Sequence, residues 1–227
     1  MEMTVIATAR TDFASCFGIP RQSGLAEELE GEVIFEKPYR NPDAVRGLDG
    51  FTHIWLLWQF SEARRDTWSA TVRPPRLGGN RRLGVFATRS PYRPNPIGLS
   101  CVRLKGIEYR RTQGPVLLIA GADLMDGTPI YDIKPYLPVS DCRPEACGSF
   151  ADEQREDRLR VVFPEELLKR IPAEKRRALT AVLAADPRPA YQDDPNRVYG
   201  FPFAGWDVRF RVEGSVLNVC EVERLAL

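Results

Sequence analysis

Between Arg81 and Leu99 the chain reads RRLGVFATRSPYRPNPIGL, and this stretch limits the backbone more than any other. Pro91, Pro94 and Pro96 each fix φ and remove a backbone donor. Each residue before a proline is pushed towards extended geometry. The reading is a short apolar strand, Gly84–Ala87, feeding a stiff loop, Thr88–Pro96, that carries two arginines, a tyrosine and an asparagine. A stiff loop with polar groups at a strand end is a natural binding element. The charge pattern supports that reading over a solvated turn. From Thr67 to Ile107 there is no Asp or Glu, against Arg73, Arg76, Arg81, Arg82, Arg89, Arg93, Arg103 and Lys105. Solvated faces usually mix signs.

The whole chain is nearly neutral, at a formal net charge of +1 over 227 residues, so a polyanion must be met by this local patch. The five cysteines are odd in number, scattered and without a CxxC pair, which points to reduced thiols in a cytoplasmic setting. His53 is the single histidine, which argues against most metal-ligand sets and histidine-based catalysis; no metal is expected. The apolar run Ile54–Trp58 is too short to span a bilayer, so no membrane partner is expected.

Several short strands follow from alternation and Gly/Pro punctuation. They are Thr4–Arg10, Glu32–Phe35, Phe51–Phe60, Gly98–Tyr109 and Pro115–Ala120, with a helical turn at Asp43–Leu48. The two tryptophans of FTHIWLLWQF are assigned to the core, and His53 to the core or an interface. In Gly98–Tyr109, Leu99, Cys101, Leu104 and Ile107 are set on one face against Ser100, Arg103 and Lys105. Gly121–Pro138 is turn-rich and acidic, with Asp123, Asp126 and Asp132 beside Lys134 and Tyr136. After Ser140 the composition changes. Asp141–Asp157 reads as a loop, Arg158–Phe163 as a strand and Pro164–Ala185 as a helix broken at Pro172. Trp206–Val212 and Ser215–Val222 read as a hairpin. The fold class is mainly β, α+β overall: a β-barrel body over 1–140 and a small C-terminal α+β domain over 141–227.

Familiar catalytic frameworks are missing. No G-x-G marks a Rossmann dinucleotide fold, no Walker loop is present, and no G-x-S-x-G marks a serine hydrolase. Asn95-Pro96-Ile97 lacks the second proline and the aromatic of the signature found in some adenine-amine methyltransferases. Two compact constellations remain: the basic loop Arg89–Asn95 and the acidic stretch Asp123–Tyr136. Together they suit a ligand that is both cation and anion, such as a sulfonium with a carboxylate tail. An RNA-binding barrel without catalysis is the alternative, although such a protein gains little from the acids.

The stretches PRQSGL, VRGLDGFTHIWLL, TVRPPRLGGNRRLGVFATRSPYRPNPIGLS, LMDGTPIYDIKPYLP and DPRPAY resemble the TrmO family, also called YaeB or TsaA-like. The resemblance runs over most of the chain. It implies an S-adenosylmethionine-dependent methyltransferase built on a β-barrel and not on a Rossmann sheet. The implied substrate is the 6-amino nitrogen of threonylcarbamoyl-adenosine, at position 37 beside the anticodon of threonine tRNA. A homodimer with the cofactor near the subunit boundary is also implied. Action on another RNA or a small metabolite stays open.

By motif, the cofactor would meet Gln22, Ser23 and Gly24, then Arg89, Leu99 and the turn Asp126-Gly127-Thr128-Pro129. Many relatives carry Phe-His after the FTHIWLL strand. Here Phe60 is followed by Ser61 and Glu62, so any cofactor contact there is made without an imidazole. Asp126 and Asp132 are the candidate proton acceptors, with Tyr136 a third catalytic candidate that could also stack on a base. Arg73, Arg76, Arg81, Tyr92, Arg93, Asn95 and Lys134 are the candidate substrate contacts. Arg73, Arg76, Arg81 and Arg82 would track phosphates, Arg89 and Arg93 would bind the carboxylates of cofactor and substrate, and Tyr92 or Tyr136 would stack on a splayed base.

Overall fold

The computed structural model describes residues 2–62, 67–74, 81–149, 158–188 and 194–225. Six antiparallel strands close a barrel: β1 (Ala7–Arg10), β2 (Glu30–Phe35), β3 (His53–Gln59), β6 (Ile97–Arg110), β7 (Gly114–Ala120) and β8 (Pro129–Pro135). Their order around the barrel is β1-β2-β7-β6-β3-β8. A two-stranded ribbon, β4 (Thr71–Val72) with β5 (Leu83–Gly84), lies in the long connection between β3 and β6. The remaining strands are β9 (Arg160–Val162), β10 (Tyr199–Phe203), β11 (Trp206–Glu213) and β12 (Val216–Arg224). They form a second sheet, in the order β10-β11-β12-β9, with the helix Ala173–Ala184 on it.

The strand directions decide where chemistry can collect. β1, β3 and β7 finish, and β2, β6 and β8 begin, at one end of the barrel: Thr8 pairs with Pro129, Arg10 with Glu32, Gln59 with Ile97, and Ala120 with Glu30. The segments 11–29, 60–96 and 121–128 therefore all leave from that end. The opposite end carries 36–52 and the tight connection 111–113.

The interior is apolar, with Ile54, Leu56, Leu117, Ile119 and Ile130 fully buried. One position in it corrects the sequence reading. Gly98, Ser100, Val102 and Leu104 are the inward residues of β6, whereas Leu99 faces out at 52% exposure and Cys101 is half-buried. The faces are the reverse of the hydrophobic pattern at the start of the strand, because a period-2 strand presents either set as a whole. The Trp58 ring selects this one. It lies over Gly98, where an added Cβ would come within 2.2 Å of Cε2, and its Nε1 donates to Ser100 Oγ at 2.9 Å. A register shift between Leu104 and Gly106 then lets the outer half of the strand change phase.

Other expectations shift as well. Gly84–Ala87 is not a strand: only Leu83–Gly84 pairs, and Val85–Ala87 winds into a 3-10 turn that buries Val85. Asp43–Leu48 becomes two 3-10 turns, Pro42–Val45 and Leu48–Gly50. Of the two β3 tryptophans only Trp58 serves the core; Trp55 lies on the outer wall and donates to Asp141 at 2.9 Å. His53 is exposed, edge-on to Tyr136. The helical region does break at Pro172, into Glu165–Leu168 and Ala173–Ala184. β8 and β10 have no counterpart among the strands expected from the sequence.

The second core draws on both parts of the chain. Phe13, Ala26 and Leu29, from the segment after β1, pack with Leu179, Phe201, Phe203 and Phe210. Phe13 meets Phe203 edge-on at 5.5 Å, and Lys175 pairs with Asp12 at 2.6 Å.

Candidate functional site

Three segments meet at the loop-bearing end of the barrel. Gly24 donates its amide to Gly121 O at 2.8 Å. Gly121 has φ +73°, and a Cβ placed on it would lie 3.4 Å from the Gly24 backbone. Glycine suits that combination of conformation and close approach. The loop Gln22–Gly24 is thereby fixed against the exit of β7. On its other side, Arg89 Nη1 donates to Gln22 Oε1, so the basic loop is tied to the same segment.

Asp123 sits where these parts converge. Ser100 Oγ donates to its Oδ1 at 2.5 Å, which extends the Trp58–Ser100 link from the barrel interior to the carboxylate. Burial pushes the Asp123 carboxyl above its ordinary range. The Ser100 hydroxyl, its own backbone amide, the Arg89 guanidinium and the Ser23 amide oppose that shift by favouring the charged form. Among the described residues no ion pair joins Arg89 to Asp123. The motif reading missed Asp123, because its partners come from strands far away in sequence.

The expected residues fall into three groups. Gln22, Ser23, Gly24 and Arg89 are brought together. The turn at Asp126–Pro129 is stitched instead to the end of β1 and the residues after it. Thr11 N donates to Asp126 Oδ1 at 3.0 Å, Asp126 N to Phe13 O at 2.8 Å and Gly127 N to Ala9 O at 2.9 Å. Thr128 is buried, and its hydroxyl donates to Met125 O at 2.7 Å. Ser61 and Glu62 are exposed just past β3, at the same end.

The third group lies on the outer wall formed by β6, β3 and β8. Leu99 pairs with Leu57, Leu57 with Asp132, and Trp55 with Lys134. Asp132 and Lys134 are ion-paired at 2.9 Å, and Asp132 Oδ1 also accepts from the Ile133 amide. Tyr136 lies beyond β8 at the opposite end, against Trp55 and His53. Partial desolvation, then the Cys142 and Cys101 thiols and Asp141, raise its phenol above the ordinary range. Six residue steps along β8 separate Pro129 from Pro135, about 20 Å at strand rise. Tyr136 is therefore remote from Arg89 within one chain.

The candidate RNA contacts are distributed along the long connection. Arg73, Arg81 and Asn95 are exposed, and Tyr92 is 40% exposed. Arg76 lies outside the described residues. Arg93 turns back on its own loop and donates to Thr88 O at 2.9 Å, which stiffens the bend beyond what the prolines impose. Sequence reasoning also passed over Phe86 and Trp68, 73% and 55% exposed, whose rings lie 6.3 Å apart at the ribbon. Exposed aromatics beside arginines form a stacking platform for unpaired bases. Among the described residues, no group of three or more His, Cys, Asp or Glu is placed to hold a metal ion, and no helix is long and apolar enough to cross a membrane.

Comparison with known proteins gives a consistent set of likenesses. The family described as tRNA-methyltransferase O N-terminal domain matches residues 8–142, and that described as TrmO C-terminal domain matches residues 156–225. A protein of Escherichia coli K12 named tRNA (adenine(37)-N6)-methyltransferase is 40% identical over 226 residues, covering 96% of each chain. A Pseudomonas aeruginosa protein provisionally named an S-adenosylmethionine-dependent methyltransferase is 42% identical over 211 residues, covering 89% of this chain and 88% of that one. A crystal structure of TrmO from P. aeruginosa superposes with a TM-score of 0.80 at 33% identity, covering 99% of this chain and 97% of that one.

Proposed function

The chain belongs to the tRNA-methyltransferase O (TrmO) family, and from that membership we infer that it is an S-adenosylmethionine-dependent methyltransferase of adenine 37 in tRNA. The observation that carries this reading is the junction of Gln22–Gly24, Arg89 and Asp123 at one barrel end. It offers a guanidinium, a carboxylate and backbone amides to one ligand, as a charged methyl donor requires. We propose further that the substrate is threonylcarbamoyl-adenosine in threonine tRNA. We also propose that the reaction takes place in the cytoplasm.

Methyl transfer from a sulfonium needs the nitrogen in line with the S–CH3 bond, and alignment alone supplies about 7–11 kcal/mol of the barrier. A stiff basic loop fixed to the donor-binding segment serves that alignment. The carbamoylated nitrogen is urea-like and its lone pair is delocalised, so a proton acceptor assists the transfer. Asp126 is the better candidate within one chain, because it shares the barrel end with Arg89. Asp132, Lys134 and Leu99 on the outer wall, and Tyr136 at the opposite end, would reach a donor site only from a second copy. That wall also exposes Ile97 and Leu99, at 36% and 52%, and the turn after β8 exposes Val139 at 96%, which supports a homodimer with the donor near its boundary. Phe86, Trp68 and Tyr92 would hold the splayed base, and Arg73, Arg76 and Arg81 the phosphates. The units 1–140 and 141–227 are kept in this reading, with 11–29 serving both.

The decisive measurement is mass spectrometry of nucleosides from threonine tRNA incubated with the protein and S-adenosylmethionine. A mass gain of one methyl group on threonylcarbamoyl-adenosine is expected. A methyl group only on tRNA lacking the carbamoyl group would move the substrate, and no methylation of either would defeat the assignment.

A further inference from the structure

We propose that Arg21 is a positioning residue through which the C-terminal unit holds the first long loop of the barrel in place. The inference rests on the donor reading above only for its effect on catalysis; the tie itself consists of contacts between the two units. Arg21 Nη2 donates to Arg188 O at 2.7 Å and to Asp186 O at 3.4 Å. Those carbonyls belong to the short stretch that follows the helix Ala173–Ala184. Further along the loop, Arg158 Nη2 donates to Leu25 O at 3.1 Å. Residues 21–25 are thus gripped at both ends by the C-terminal unit, while Gly24 N between them bonds Gly121 O of the barrel.

The receiving carbonyls are held without help from Arg21. Asp186 has φ +50°, a left-handed conformation that aspartate tolerates better than most residues. Its carboxylate takes Arg188 Nε and Nη2, both at 2.9 Å, and the Arg188 amide at 3.2 Å. Pro187 fixes φ between them. From Arg21 the contacts run on to the basic loop. Gln22 Nε2 donates to the Arg21 carbonyl at 2.6 Å, and Gln22 Oε1 accepts from Arg89. A line of hydrogen bonds therefore joins residues 186–188 to the loop that leads into β6. Burial lowers the Arg21 guanidinium from its ordinary value, with Asp186 opposing the shift. A partly desolvated cation is costly unless its donors are used, so the two carbonyls fix the side chain as well as the loop. A loop fixed before a ligand arrives lowers the ordering cost of binding.

Hydrogen–deuterium exchange on the full chain, with no donor present, tests the tie directly. Arg21→Met keeps the stem and removes the donors. In it the Gly24 amide should exchange about 10- to 100-fold faster, as the loss of a charged hydrogen bond allows. Strands β1 and β2, which flank the loop, should keep their protection. Lys175→Met removes a different bond between the units, the pair with Asp12, and should leave Gly24 exchange unchanged. Steady-state kinetics gives a second readout. In Arg21→Met the KM for S-adenosylmethionine should rise while kcat stays within about twofold of wild type, as when uniform binding is lost. Unchanged Gly24 exchange in Arg21→Met overturns the proposal. So does equal loosening in Lys175→Met, which would assign the hold to docking of the units as a whole. Loss of protection throughout β1 and β2 in Arg21→Met also overturns it, because Arg21 would then serve the fold, and so does a fall in kcat at unchanged KM. A wild-type chain that binds no S-adenosylmethionine removes the donor reading, and the exchange result then decides the tie by itself.

Discussion

The two ends of the barrel use their arginines in opposite ways. At the short-turn end Arg40 donates to Phe35 O at 2.8 Å and to Thr112 O at 2.9 Å, and Arg46 pairs with Asp43. On the nearby wall Arg110 pairs with Glu32 and Glu108. These cations are satisfied by the chain itself. At the loop-bearing end, by contrast, Arg73 and Arg81 stand exposed in a stretch without an acid, and Arg89 bonds a neutral amide. Both ends are rich in arginine. At the loop-bearing end Arg10 pairs with Glu32 and Arg93 bonds its own loop, so the contrast is confined to Arg73, Arg81 and Arg89, whose charges the proposed reading leaves to a ligand.

The largest expected effect breaks the mounting of the loop-bearing end. In Gly98→Ala the new Cβ would collide with the Trp58 ring, costing about 1–3 kcal/mol of stability as overpacking does. Displacement of Trp58 should also release Ser100 and Asp123, so thermal denaturation and donor titration should both show a loss. A variant of full stability and full affinity would mean that the ring does not hold the site.

A pair of arginine variants sharpens the contrast between the ends. Arg89→Ala should lower donor affinity about 10- to 100-fold, as the loss of a charged hydrogen bond does, with little change in Tm. Arg40→Ala should do the reverse, lowering stability by about 1–3 kcal/mol with donor affinity intact. If both variants affect the same quantity, the ends are not functionally distinct.

Salt dependence comes next. Each arginine that neutralises a phosphate contributes roughly 0.7–0.9 to the slope of log K against log salt. Arg81→Ala should flatten that slope for tRNA by this amount, whereas Arg46→Ala should leave it unchanged.

The smallest effect belongs to Glu32, whose carboxyl is held below its ordinary range, chiefly by the Arg110 hydrogen bond. A depressed folded value means that the pair stabilises the fold above the ordinary carboxylate range. That stabilisation is lost as pH falls through the depressed value. Glu32→Gln should therefore show a shallower decline of Tm on acidification than the wild type, and identical acid profiles would show that the pair contributes nothing.

How much of this was legible in the sequence depended on range. The broken helix at Pro172 and the hairpin around Glu213-Gly214 follow from local signals, and both are present. β8 escaped because Asp126-Gly127 and three prolines made Gly121–Pro138 read as turns, while its pairing with β1 and β3 is decided by distant strands. The reversed faces of β6 have the same origin. Nothing near Ser100 says that Trp58 occupies the interior over Gly98. At the site, Arg89 and Gln22–Gly24 were readable as motifs. Asp123 was visible only as one acid among three, because its distinction lies in Ser100, Ser23 and Arg89.

The packing of Phe13 on Phe203 and the pairing of Asp12 with Lys175 have a consequence during synthesis. Strands of the barrel can close once β8 has emerged from the ribosome, and Gln22 and Gly24 have their partners by then, but Asp12 and Phe13 at the start of that segment gain theirs only some 160 to 190 residues later. Contacts of such long range form late in folding. A nascent chain would hold a finished barrel whose first long loop is still unpacked at its base, so the second core would be completed only with the last strands to be translated.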